Sequence, residues 1–184
     1  LWDGLNDPIM GIIADRTSTS KGKFRPYLLW VAIPFAIVGV MTFTAPDFGP
    51  SGKLIYAYAT YTLMMMVYTA INVPYSSLMG VMTSDTKVRT SLASFRFIGA
   101  YSGGIFMTAT VPYLLDYFRN SGSSDAQSYQ YTVGIYAVLA AFFFIMTYKW
   151  TSERVKPLKE KTSIKKDIKD LLKTLQINHV TKQA

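Results

Sequence analysis

Two acidic side chains and an amide near the start of the sequence have the types and spacing of a small cation site. Asp3 and Asp7 are four residues apart, so in a helix both carboxylates lie on one face, with Asn6 beside them. Two such carboxylates repel each other, which favours a shared proton or a bound cation such as Na⁺. The alternative is that Asn6-Asp7-Pro8 caps a helix that starts at Pro8, since Asp before Pro is a common helix start.

The distribution of charge predicts the elements that hold these side chains. Only 16% of the 184 residues are charged, whereas soluble domains contain about 25%. Charged residues are absent from four long stretches, 27–46, 54–84, 97–115 and 126–148. A helix needs about 20 apolar residues to cross a bilayer. The sequence therefore predicts an all-α, polytopic membrane protein and excludes an ordinary soluble domain.

We expect residues 1–150 to form a partial N-terminal transmembrane bundle, with a truncated first segment. Pro8–Ala14 is too short to span alone, so we expect a helix that begins upstream and a chain that is a fragment. The predicted spans are 1–14, 26–45, 54–82, 94–115 and 130–150. An Asp inside the membrane is costly and usually serves an ion or a proton, so we expect Asp3 and Asp7 to be sheltered from bulk water.

Basic and non-basic connections alternate along the chain, which predicts the topology. Lys and Arg are concentrated in 15–25, 83–96 and the tail 151–184, so these segments are expected in the cytoplasm and the protein in the inner cell membrane. The net charge of +8 then reflects membrane orientation, and no nucleic-acid partner is expected. The tail is predicted to be a basic amphipathic linker, with apolar residues at helical spacing. They are Ile164, Ile168, Leu171, Leu172 and Leu175.

No enzyme constellation is present in the sequence. The single histidine, His179, lies in the basic tail, and there is no cysteine for a thiolate metal site. Asp3 and Asp7 share one helical face, whereas the paired acids of a glycosidase flank the substrate from opposite sides. We therefore expect a protein that is not an enzyme and has no resident cofactor.

Longer runs of sequence resemble one transporter family. They are Trp2-Asp3-Gly-Leu-Asn6-Asp7-Pro8 through Asp15-Arg16-Thr17, then Gly22-Lys23-Phe24-Arg25-Pro26-Tyr27-Leu28, Tyr68 to Leu78, and Phe95-Arg96-Phe97. In order and spacing they resemble the glycoside–pentoside–hexuronide:cation symporters, the melibiose-permease-like branch of the major facilitator superfamily. The resemblance implies the second to sixth of twelve helices, with helix one and a C-terminal six-helix half as absent partners in the same transporter.

The resemblance also implies two ligand sites. The family's cation site matches Asp3, Asn6, Asp7 and the helix-four hydroxyl Thr69, with Asp3 and Asp7 holding Na⁺ if transport is sodium-coupled. The family's sugar-contacting positions match Asn72, Ser76 and Arg96.

Individual residues at this predicted sugar site add one candidate contact and limit what the resemblance implies about the substrate. Tyr75 is a further candidate sugar contact, although aromatic side chains in spans usually face lipid or packing partners. In melibiose permease the counterparts of Asn72 and Ser76 are aspartate and tryptophan, which puts a galactoside substrate in doubt. Arg96 has an alternative role as a snorkelling residue at a helix start.

The basic connection after the first segment matches the superfamily signature that joins helices two and three. We expect its residues to gate the cytoplasmic face, with Gly11 permitting close helix approach and Asp15 accepting from a helix in the other half. A plain positive-inside loop is the alternative. The gating residues are Gly11, Asp15, Arg16, Gly22, Lys23 and Arg25.

Together these features predict a sugar:cation symporter driven by co-transported Na⁺ or H⁺. Two alternatives remain at this point: a major facilitator carrier of a non-sugar solute or lipid, and a non-transporting membrane scaffold. Intramembrane acids would be needless in a scaffold.

Overall fold

The computed structural model describes the backbone of residues 2–155 and the side chains of residues 6–155. The predicted linker helix lies outside these residues. The described part contains helices only, apart from one isolated bridge between Thr19 and Gly22, so the all-α prediction is confirmed for it. The helices are α1 (Trp2–Arg16), α2 (Arg25–Trp30), α3 (Ala32–Thr42), α4 (Pro50–Met82), α5 (Thr86–Asn120) and α6 (Asp125–Trp150).

Local start signals extend the last three helices beyond the predicted spans. Pro50 occupies the first turn of α4, where its missing N–H leaves no bond unmade. The carboxylate of Asp85 accepts the backbone N–H of Lys87 (2.8 Å) and caps α5. A reciprocal capping box between Ser124 and Gln127 starts α6. The helices therefore begin at their caps rather than at the edge of the uncharged stretch.

The predicted span 26–45 is two helices rather than one. The break lies at Val31, between α2 and α3. Pro34 explains it, because proline has no N–H to donate to the carbonyl of Trp30 and its ring crowds that carbonyl. The flanking bonds persist, since the N–H of Val31 donates to Tyr27 (2.9 Å) and that of Phe35 to Val31 (2.8 Å). The segment is thus divided at Val31 into a short and a longer helix.

The first helix contains the acidic motif in its interior. α1 runs from Trp2 to Arg16 with Pro8 inside it. Asn6 and Asp7 are therefore helical residues, and the alternative in which they cap a helix starting at Pro8 is wrong.

The core joins the ends of α1, α2 and α4. Met10 and Ala14 of α1 and Leu28 of α2 are buried in one cluster with Ile71 and Leu78 of α4. α3 packs against α4 and α6, whereas α5 contacts α6 and, more weakly, α4. Large apolar side chains elsewhere on the helices are exposed, for example Ile33, Phe143 and Val138. This pattern suits a bundle whose outer surface faces lipid.

Length and apolar composition suit two of the described helices, α4 and α6, to crossing a bilayer, and α3 is a shorter apolar helix. In α5 the uncharged stretch contains Gly, Ser, Thr and Tyr between Tyr101 and Tyr113, so its apolar content is lower than in α4 and α6. The number of crossings, five, and the division at residue 150 stay predictions.

The α5–α6 connection is closed by an ion pair. Arg119 Nε donates to Asp125 Oδ1 at 2.7 Å. This hydrogen bond and the charge of the carboxylate raise the pKa of Arg119. Both side chains are well exposed, so the pair orders the connection rather than stabilising the fold.

Candidate functional site

Arg96 of α5 reaches across to α4 and contacts two side chains there. Its Nη2 donates to Ser76 Oγ at 3.0 Å, and its guanidinium carbon lies 4.7 Å from the centre of the Tyr75 ring. A planar guanidinium suits both contacts at once, since it stacks on a ring face while its edge donates. The structure thus brings together three of the four side chains predicted to bind substrate.

The fourth, Asn72, lies one helical turn before Ser76 on α4. Residues four apart share a helical face, so the Asn72 amide lies along the same surface as Ser76. Asn72 is half-buried and forms no side-chain hydrogen bond in the described part of the chain. Its amide can both donate to and accept from a ligand.

An aromatic row supports this cluster from α6 and α3. The Tyr75 ring meets Phe144 edge-on at 6.4 Å, and Phe144 meets Phe35 edge-on at 5.8 Å. Edge-to-face pairs at these distances are favourable and fix ring orientation. Sequence reasoning missed Phe144, which is one of three consecutive phenylalanines with no local signal separating it from the exposed Phe142 and Phe143.

The cluster has the chemistry of a polyol or carboxylate site. A guanidinium carries five N–H donors, and one of those on Arg96 is given to Ser76 in the structure. Arg96 takes part in none of the ion pairs found among the described residues. Its remaining donors and the Asn72 amide can together meet the hydroxyls or the carboxylate of a sugar.

The predicted cation-binding residues lie on a packed pair of helices, and no side-chain hydrogen bond joins Asn6, Asp7 and Thr69 in the described part of the chain. Thr69 is 2% exposed on α4, and Asn6 of α1 is half-buried. The Asn6 Nδ2 is buried and has no hydrogen-bond partner among the described residues. Asp7 is exposed, and the side chain of Asp3 lies outside the description.

The exposure of Asp7 has a geometric reason. Asp7, Met10 and Ala14 follow the spacing i, i+3, i+7 and so lie on one stripe of α1. Met10 and Ala14 are buried against α2 and α4, whereas Asp7 continues the stripe toward the start of α1, where no described element covers it. The expected shelter is therefore not formed by residues 6–155. No group of three or more acidic or histidine side chains suited to a metal occurs among the described residues.

The predicted gating residues gather around the α1–α2 connection. Lys23 Nζ donates to Asp15 Oδ1 at 2.9 Å, an exposed contact worth about 0–1 kcal/mol. Arg25 Nη2 donates to the carbonyl of Tyr148 (2.6 Å), and its guanidinium carbon lies 5.1 Å from that ring centre. Through Lys23 and Arg25, this part of the chain contacts both α1 and α6.

The other gating candidates have distinct environments. Gly22 has φ +116°, in the left-handed region that favours glycine. Arg16 lies in the last turn of α1. Gly11 has no atom within 4 Å of the place where a Cβ would be, so no helix described here requires glycine at that position. The close helix approach expected at Gly11 is absent from the described residues.

Glu153, which follows α6, is a residue that sequence reasoning missed. Its carboxylate accepts the backbone N–H groups of Lys23 (2.8 Å), Phe24 (2.7 Å) and Arg25 (2.9 Å). The sequence signal was slight: an acidic residue at the start of a basic tail. The contact spans about 130 positions, so no local pattern predicts it.

Comparison with known proteins gives one family and several relatives. The MFS/sugar transport protein family matches residues 1–178. YagG of Escherichia coli, provisionally named a glycoside/cation symporter, is 42% identical over 92% of this chain and 37% of its own length. The uncharacterized symporter YnaJ of Bacillus subtilis is 39% identical over 96% of this chain and 38% of its own. The isoprimeverose transporter of Lactiplantibacillus pentosus is 37% identical over 96% and 36%. The chain thus spans little more than a third of the length of these relatives.

Proposed function

Since this chain belongs to the MFS/sugar transport protein family, we propose that the whole protein is a sugar:cation symporter. It carries a glycoside, pentoside or hexuronide together with Na⁺ or H⁺, by secondary active transport. Relatives named symporters and an isoprimeverose transporter support transport over a non-transporting scaffold. The proposed location is the inner membrane, with connections 15–25 and 83–96 and the tail 151–184 in the cytoplasm.

One observation carries the sugar part of the proposal: the Arg96–Ser76–Tyr75 cluster. An arginine at the interface of two helices in the bundle is expensive unless its donors serve a ligand or a partner. Counted at 1.5 Å per residue, Ser76 lies about 9 Å before the end of α4 and Arg96 about 15 Å after the start of α5. The cluster therefore lies nearer the proposed cytoplasmic ends of α4 and α5 than their opposite ends.

The cation part of the proposal rests on α1. Asp7 is exposed among the described residues, but by helical spacing it continues the stripe of α1 whose members Met10 and Ala14 pack on α2 and α4. The Asn6 Nδ2 nearby is buried and has no hydrogen-bond partner among the described residues, which is unfavourable by about 1–3 kcal/mol unless a ligand or a further side chain satisfies it. We assign Asp3, Asn6, Asp7 and Thr69 to the cation site, which is completed by parts of the transporter beyond the described residues.

Coupling follows from the proximity of the two sites. Thr69 and Asn72 are three residues apart on α4, so a cation at the first and a sugar at the second share one helical face. If each ligand orders that face, each strengthens the binding of the other by the same factor. Alternating access then moves the two halves of the transporter about this shared site.

The test is uptake by the intact protein in proteoliposomes. Isoprimeverose, a β-glucuronide and melibiose are offered separately under an inward Na⁺ gradient, an inward H⁺ gradient, or neither. We expect at least one of the first two sugars to accumulate above equilibrium under one gradient only. Failure of every sugar to accumulate under either gradient, with a reference symporter active in the same lipid, contradicts the proposal.

A further inference from the structure

We propose that Glu153 is a positioning residue for the α1–α2 connection (residues 17–24). Its carboxylate holds this connection to the end of α6, so that the connection moves with the helix bundle as one body. The role of this contact in transport rests on the proposed function, whereas the docking itself does not.

The contact is specific to a carboxylate at this place. Three consecutive backbone N–H groups, of Lys23, Phe24 and Arg25, converge on the two oxygens of Glu153 at 2.7–2.9 Å. Hydrogen bonds to an ionised acceptor are about twice as strong as neutral ones. The path of the backbone depends on Gly22, because a Cβ there would lie 2.5 Å from the Glu153 carboxyl carbon.

The segment that carries Glu153 is itself anchored. α6 ends at Trp150, and the N–H groups of Arg154 and Val155 both donate to the carbonyl of Val81 at 2.9 Å. Val81 lies one residue before the end of α4. Residues 151–155 therefore join the end of α4, the end of α6 and the start of α2 on one side of the bundle.

Fixing the backbone at 23–25 places two of the four charged side chains predicted to gate. Lys23 is held where its ammonium meets Asp15, and Arg25 where its guanidinium stacks on Tyr148. The Lys23–Asp15 contact is exposed and weak by itself. The geometry thus points to Glu153, rather than to the surface ion pair, as the group that keeps the connection in place.

In a transporter this docking controls the rate of the conformational cycle rather than substrate affinity. The substrate cluster is contributed by α4 and α5, whereas the hydrogen bonds of Glu153 described here go to the backbone of residues 23–25. Loss of the carboxylate should therefore lower Vmax and leave KM for sugar unchanged. A residue that only stabilised the fold would lower the amount of active protein without changing turnover per molecule.

The transport experiment compares Glu153→Ala, Glu153→Gln and Glu153→Asp in the intact protein. Uptake is normalised to transporter in the membrane, and KM and Vmax are measured separately. We expect Vmax to fall about tenfold or more for Glu153→Ala, since charge-assisted hydrogen bonds are lost. Glu153→Gln keeps one acceptor oxygen and should fall less, and Glu153→Asp keeps the charge and should recover part of the rate.

Asp85→Ala is the matched control. The Asp85 carboxylate also accepts backbone N–H groups, of Lys87 and Val88, but only within its own helix start. This variant loses an acidic cap on the same side of the bundle without releasing the α1–α2 connection. Its Vmax should stay within about twofold of wild type, because a cap contributes about 1 kcal/mol locally.

A distance measurement tests the docking independently of any solute. Spin labels are placed at Ser20 and Ser152, both exposed, in a cysteine-free form of the intact protein. This chain contributes no native cysteine. We expect one narrow distance distribution in wild type and in Asp85→Ala, and a broad, longer distribution in Glu153→Ala and Glu153→Gln.

Two results would overturn the inference. An unchanged distance distribution in both Glu153→Ala and Glu153→Gln contradicts the docking. A broadened distribution with unchanged Vmax contradicts the positioning role. If wild type carries no sugar at all, the proposed function fails, and the label distances still decide whether Glu153 docks the connection.

Discussion

Replacing Tyr75 by leucine should weaken sugar binding through Arg96. The guanidinium lies 4.7 Å from the ring centre, and a cation over an aromatic face contributes about 0.5–1 kcal/mol when exposed and about 2 kcal/mol when desolvated. Both side chains are half-buried, so we expect a loss of about 1–2 kcal/mol. With tenfold per 1.4 kcal/mol, KM for the transported sugar should rise about five- to thirtyfold.

Tyr75→Phe separates the ring from its hydroxyl. Phenylalanine keeps the face under Arg96 and the edge-on contact with Phe144, so KM should change by less than about twofold. Tyr101→Leu is the matched control, because that ring lies on α5 and is 73% exposed. Initial rates of labelled-sugar uptake by the intact protein give KM and Vmax for each variant. Equal KM values for Tyr75→Leu and wild type, or for Tyr75→Phe and Tyr75→Leu, would refute the stacking argument.

Three further variants test other contacts. Ser76→Ala removes the hydroxyl that accepts from Arg96 at 3.0 Å and should raise KM for sugar about tenfold. Ser76→Thr keeps a hydroxyl and should restore the wild-type KM. Equal KM values for Ser76→Ala and wild type would count against a role for the Arg96–Ser76 hydrogen bond. Gly22→Ala forces a side chain into a left-handed conformation and against Glu153, and should destabilise the protein by about 1–3 kcal/mol in thermal unfolding. An unchanged melting temperature would contradict it. Thr69→Val removes a buried hydroxyl at constant shape. The cation concentration for half-maximal uptake should rise about tenfold, and KM for sugar at saturating cation should not change. An unaltered cation dependence would remove Thr69 from the cation site.

Hydrophobic patterning predicts the helices of this chain, and local chemistry corrects their ends. Uncharged stretches locate α4 and α6, because a bilayer disfavours charge over the central part of a spanning helix. The caps at Asp85 and Ser124 are equally local, and reading them would have placed the starts of α5 and α6 correctly. The helix break at Val31 is also predictable from the sequence, since Pro34 removes a backbone hydrogen-bond donor in an otherwise apolar segment.

The candidate site was predictable in part, and for a different reason. Ser76 and Arg96 are twenty positions apart on consecutive antiparallel helices, so helical spacing does not predict their contact. The resemblance to a known family predicted that both residues bind substrate. Helical spacing alone places Asn72 beside Ser76. Phe144 and Glu153 depend on how α6 and the segment after it lie against the other helices, and a single sequence carries no signal for such contacts.

Sugar-coupled cation flux in the Asp7→Asn variant tests the central claim, symport through an acidic site on α1, most directly. The intact protein is reconstituted, and labelled sugar and cation entry are measured together. Wild type should take up cation in response to sugar and accumulate sugar against its gradient. Asp7→Asn should retain downhill sugar exchange and lose both accumulation and sugar-stimulated cation entry. Accumulation equal to that of wild type in Asp7→Asn, at equal protein in the membrane, would contradict the account.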